Sequence, residues 1–225
     1  MNRVKWLEAK WPFNMRKLGS RLKEMPFSDE ATDGFVIERI RDDFIEGRYI
    51  EKSNLREVVI DPFGREGVQE RVTYHTTHFT LFSQYPFIEL RNSQRSIKEF
   101  LGRLLEACNF TLIVRPIRVE LLAWAENFQK LIDYQILVDS IQVSGVKLDE
   151  GITGKILIKG EKDVRFAIID ILKEKKYSID RLQLRINLSG RNVGIQLGSN
   201  GSIKIPSDFT LQFTPLLRTS LPQSN

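Results

Sequence analysis

Apolar residues recur through the first 25 positions at Val4, Leu7, Trp11, Met15, Leu18, Leu22 and Met25, in steps of three and four. That spacing is one face of an α-helix. Pro12 interrupts it and predicts a break near Trp11, with Pro12 opening a second helix. Trp6 and Phe13 fall off the stripe.

From Phe35 to Leu90 the period drops to two. "GRYIEKSNLREVVIDPFGREGVQERVTYHTTHFTLF" predicts a hairpin that turns in "DPFGREG" (61–67). Val72, Tyr74, Thr76, His78, Thr80 and Phe82 share one strand face, and His75, Thr77, Phe79 and Leu81 the other. A short strand is expected over 85–92. A helix follows, opened by a Ser96/Glu99 capping box and faced by Ile97, Phe100, Leu101, Leu104, Leu105 and Cys108. Further on the pattern predicts a strand at 110–114 and a helix through Leu121, Trp124, Phe128, Leu131 and Ile132. Strands in 134–159 come next, then a helix over 161–176 with Val164, Ile168, Ile171 and Leu172 inward. A hairpin turning at Asn200–Gly201 and an amphipathic segment from Phe209 to Leu221 complete the chain. The expected fold is α+β, largely antiparallel sheets with packed amphipathic helices in two small lobes. The expected parts are a basic amphipathic helical arm (1–25), an N-terminal lobe (26–133) and a C-terminal lobe (134–225).

Charge adds an asymmetry to this pattern. The net +5 sits in the arm, where Arg3, Lys5, Lys10, Arg16, Lys17, Arg21 and Lys23 face only Glu8 and Glu24. Residues 26–61 reverse it, with ten acids against five bases. A basic arm is what phosphate contacts require; an acidic neighbour could equally neutralise it from within. Further arginines and lysines (Arg91, Arg95, Lys98 and Arg103; Arg115 and Arg118; Arg181, Arg185 and Arg191) border helices and hairpins. No helix-turn-helix, zinc-finger or RNA-recognition signature accompanies them, so contact with nucleic acid is expected to address the backbone.

Composition narrows the class. A hydrophobic content of 41% and a charged content of 28% allow a packed core. The single cysteine, Cys108, falls on an apolar helix face, which excludes internal disulfides and fits a cytoplasmic setting. No apolar run reaches the ~20 residues of a membrane span.

Candidate chemistry gathers in "HTTHFTL" (75–81). His78 and Thr80 form a His-x-Thr that locally resembles the motif of the two-histidine phosphoesterases. That family pairs two such motifs, one histidine as acid and the other as base. Here the resemblance covers four residues, and the only other histidine is His75. Three residues apart on a strand, the two imidazoles point to opposite faces, which disfavours both shared proton transfer and a metal pair. The expectation is a strand with one histidine inward and hydrogen-bonded. "GITGKI" (151–156) lacks the phosphate-loop spacing. Acids adjoin strands at Asp61, Asp139, Asp149 and Glu150, without the acid-x-Lys of a metal nuclease.

These readings point to a non-catalytic binding subunit of a protein or nucleoprotein complex, without cofactor or metal. Its partner would be another protein or a second copy, met through Val4, Leu7, Trp11, Met15, Leu18 and Leu22, and the arm's cations would touch nucleic acid irrespective of sequence. The alternative is a metal-dependent phosphodiesterase with an acidic site that no motif announces.

Overall fold

The computed structural model describes residues 1–60, 62–93, 96–172 (Ile169 by its backbone only) and 175–223. Arg95 and Asp61, and the Lys173–Glu174 stretch of the expected fourth helix, lie outside the described residues. The chain forms two compact units, Ala9–Val114, and Met1–Glu8 with Arg115–Asn225.

The balanced α+β expectation is overturned. Among the described residues eleven strands and five helices are present, with 48% strand against only 22% helix, so the fold is mostly antiparallel β. The basic helical arm is part of that correction. Residues Asn2–Lys10 are a strand, β1, and only Met15–Lys23 are helical, as α1. The helix starts after Pro12 because Asn14 caps it, its Oδ1 accepting from the Lys17 N–H at 2.9 Å.

In the Ala9–Val114 unit, β2 (Asp33–Ile40), β3 (Phe44–Ile60), β4 (Glu66–Phe82) and β5 (Ile88–Arg91) run in sequence order, each antiparallel to the next. The β3–β4 hairpin is realised in full, from Phe44 opposite Phe82 to Ile60 opposite Glu66. Helix α2 (Lys98–Ala107) supplies Phe100 to an aromatic core with Phe35, Tyr49 and Phe79, at centroid separations of 5.2 to 6.2 Å. Its expected capping box does not form: Ile97 takes the cap position, and the Ser96 hydroxyl only accepts from the Lys98 N–H at 3.4 Å.

The other unit orders its strands as β1, β11 (Ser202–Ile205), β10 (Arg191–Gly198), β9 (Ser178–Leu188), β7 (Ile136–Asp149) and β8 (Ile152–Lys159). Strand β6 (Ile113–Pro116) leads from one unit into the other. Helix α3 (Leu121–Gln129) packs on β9, and its Trp124 meets Trp6 of β1 edge-on at 5.9 Å. Helix α5 (Thr210–Thr219) adds Phe213, 6.0 Å from Phe128. The expected turn at Asn200–Gly201 is present. Gly201 has φ +67, and a Cβ there would press on Ile117, so glycine suits the site on both counts.

The fourth helix, α4 (Arg165–Ile171), is much shorter than the 161–176 expected. Gly160 and Val164 donate their N–H groups to Asp139 and Val138 of β7, which holds 160–164 along that strand. Ile171, expected inward, is 54% exposed.

Candidate nucleic-acid interface

One row of side chains crosses all six strands of the second unit. Arg3 on β1 stands opposite Lys204 on β11, Lys204 opposite Gln196 on β10, Gln196 opposite Gln183 on β9, Gln183 opposite Ser140 on β7, and Ser140 opposite Lys159 on β8. Directly opposed residues share a sheet face. At ~4.8 Å per strand the row spans about 24 Å. It holds three cations, no carboxylate and no apolar residue, and each member is half-buried or exposed.

The next row on that face is Lys5, Ser202, Gly198, Arg181, Gln142 and Leu157, also without an acid. The row between them points the other way: Val4, Ile203, Leu197, Leu182, Ile141 and Ile158. All but the edge residue Ile158 are at most 1% exposed. Period-two alternation thus separates an apolar face from a polar, basic one.

The carboxylates of the basic face gather towards β7. Asp180 accepts from the Ser144 hydroxyl at 2.8 Å and lies 3.8 Å from Lys155 Nζ. Asp139 sits at a bulge of β7, 3.7 Å from Arg185 Nε. Burial raises the Asp139 carboxyl above the usual range, against the pull of Arg185 and Lys159. Two carboxylates, Asp139 and Glu161, line an open hollow of about 650 Å³ over the first row together with Ser140, Lys159, Gln183 and Gln196. At the β1–β11 end the cations lie directly together. Arg3 stands directly opposite Lys204 across the β1–β11 pair, so two cations adjoin on this face.

The seven arm cations fall into different surroundings. Arg3 and Lys5 lie on this basic face, whereas Lys10, Arg16, Lys17, Arg21 and Lys23 belong to the Ala9–Val114 unit. Arg16 pairs with exposed Asp42. Lys17 and Arg21 lie over the Phe13 ring at 4.5 and 5.0 Å, and Arg21 also donates to Asn109 Oδ1 at 2.6 Å. The expected interface stripe is packed inside the chain: Val4, Leu7, Met15, Leu18 and Leu22 are all buried. Trp11 is half-buried, and its indole N–H donates to the Phe82 carbonyl at 2.8 Å.

His75 and His78 do point to opposite faces, His75 opposite Glu51 and His78 opposite Arg48 and Arg91. Both are exposed, so the expected inward histidine is not present. Arg91 and Arg103 are engaged within their unit, Arg91 with Glu46 at 2.9 Å and Arg103 with Asp33 at 2.6 Å. Arg191 pairs with Asp208 and stacks over Phe209. Burial pushes the Cys108 thiol up to about 11, the state of an inert core sulfur.

Sequence reasoning missed Lys204, Lys159, Gln196 and Gln183. The alternations "SIKI" and "KILIK" do place Lys204, Lys155 and Lys159 opposite apolar positions within their own strands. That Arg3 faces Lys204 is a matter of register, which no local period carries. No protein-family model matches the chain, and the search of curated proteins found no match either.

Proposed function

We propose that the chain is a non-catalytic binding protein that holds a polyanionic strand, single-stranded nucleic acid in particular, across the basic face of β1, β11, β10, β9, β7 and β8. The observation that carries this reading is the acid-free row from Arg3 to Lys159. Lys and Arg at its ends neutralise phosphates, with release of counterions. The three central residues, Gln196, Gln183 and Ser140, both donate and accept, which suits backbone and sugar oxygens. None of the twelve residues in the two rows is aromatic, so stacking adds nothing there and the binding is independent of sequence.

The phosphodiesterase alternative has less behind it. Among the described residues no three of His, Cys, Asp and Glu gather so that they could hold a metal ion.

Fluorescence anisotropy with a labelled single strand of about 20 nucleotides tests the proposal, with salt varied from about 50 to about 200 mM. Affinity should fall steeply with salt and should not respond to Mg²⁺ or to a chelator. Lys204→Ala should weaken binding to every sequence alike and lessen the logarithmic salt slope by about 0.7. Salt-independent binding, or an unchanged slope in Lys204→Ala, contradicts it.

A further inference from the structure

The β3–β4 hairpin outruns its sheet. β2 accompanies β3 only as far as Glu51, and β5 accompanies β4 only from His78 to Leu81. Lys52–Ile60 and Glu66–Tyr74 therefore continue as a two-stranded ribbon, about 30 Å long at ~3.4 Å per residue. Such a ribbon is marginal in water without a covered face.

The even-numbered face of this ribbon is exposed and carries apolar side chains among the polar Lys52, Asn54 and Glu66, with Tyr74 at its inner end edge-on to Phe27. Val58 opposite Val68, with Ile60, Val72 and Tyr74, lie on the side of the even-numbered residues. Val58 is 64% exposed and Val68 68%. In their midst Arg56 and Glu70 stand opposite each other and form an ion pair at 2.7 Å. Large apolar side chains gathered on an exposed face mark an interaction surface.

Charge decides what kind of partner fits. Lys52, Arg56, Arg65 and Arg71 balance Glu57, Asp61, Glu66 and Glu70, so the ribbon presents no field of one sign to a polyanion or to a strongly charged protein. It is instead complementary to itself. When the even-numbered faces of two ribbons are stacked about a two-fold axis along the strands, β3 of each lies over β4 of the other. Arg56 then meets the second copy's Glu70, Glu70 meets its Arg56, and the Val58/Val68 pair lies on its own copy. The result is an alternating square of four charges, with Val58 on Val68 at one side of it and Asn54 on Val72 at the other. A two-fold interface demands this self-complementarity. The opposite stack, with the ribbons antiparallel, would bring Arg56 over Arg56.

We propose that the outer β3–β4 ribbon is a self-association surface that docks in parallel on the same ribbon of a second copy, with the Arg56–Glu70 pair setting the register. Sedimentation velocity of the full chain from about 1 to about 100 µM tests it. The wild type should pass from monomer to dimer. Arg56→Glu makes the pair doubly acidic and Glu70→Arg makes it doubly basic, so each variant alone should dissociate about tenfold or more readily. Mixed in equal amounts, they should form a heterodimer as tight as the wild type. Val68→Lys, at another exposed position, should also dissociate the dimer, with circular dichroism confirming that each variant is folded. A wild type that stays monomeric over the whole range overturns the proposal. So do variants that dimerise unaltered, or a mixture that remains monomeric while each variant is folded.

Discussion

Trp124 shows what a single residue contributes to this fold. Its indole N–H donates to the Leu217 carbonyl at 3.0 Å and lies 3.1 Å from the Ser220 hydroxyl, and its ring meets Trp6 edge-on. A buried indole needs such a partner, because an unpaired N–H there would cost as much as a lost hydrogen bond. Trp124→Phe keeps most of the apolar area and leaves the Leu217 carbonyl without that donor, so the expected loss is about 1–3 kcal/mol. Urea unfolding followed by circular dichroism measures it, and an unchanged midpoint would contradict this role. At this scale the sequence was informative: Trp124, Phe128 and Phe100 were all placed inward by helical spacing, and all are buried. Trp6 was not, since a stripe drawn at helical period passes it by. In the strand it is one of the largest fully buried side chains.

At the scale of elements the first strand is the instructive case. Val4 and Trp6 obey the strand period, but the buried positions then shift by one to Leu7 and Ala9, while Glu8 is half-buried and Lys10 exposed. That shift breaks the alternation and lets Val4, Leu7 and Trp11 imitate a helical face. β1 pairs with β11 from Asn2 to Lys5, and the Trp6 N–H donates to the Gly201 carbonyl at 2.8 Å. Removing residues 1–8 would bare the β11 edge and leave Trp124 without its neighbour. We expect the truncated chain to lose cooperative unfolding of the Arg115–Asn225 portion and to be digested there by dilute protease. Equal protease resistance of the truncated and full chains would show that β1 is dispensable. α4 teaches the complementary lesson. Its apolar spacing predicted four turns, but backbone bonds to β7 at Gly160 and Val164 delay the helix until Arg165. Tertiary hydrogen bonds outweighed local propensity there.

For the molecule as a whole, the division of faces was readable and the site was not. Strand alternation separates Lys204 from Ile203 and Lys159 from Ile158 in the bare sequence, so the existence of a polar face was legible. The assembly of that face depends on a strand order in which the first strand lies beside the last. Arg3 and Lys204 are 201 positions apart, and only the register of β1 on β11 unites them. The hairpin behaves in the same way. Its turn signal was plain, but the freedom of its outer half follows from where β2 and β5 stop, which is again a property of the sheet. No helix among the described residues is long and apolar enough to cross a membrane.

We propose that a polyanion lies on the basic face of the second unit. Lysine acetylation, read by mass spectrometry with and without a single-stranded oligonucleotide, addresses it directly. Lys5, Lys159 and Lys204 should be protected by the oligonucleotide, while Lys52, Lys98 and Lys130, which lie off that face, keep their reactivity. Protection confined to Lys10, Lys17 and Lys23, or no protection at any lysine under conditions where the strand is bound, would contradict the account.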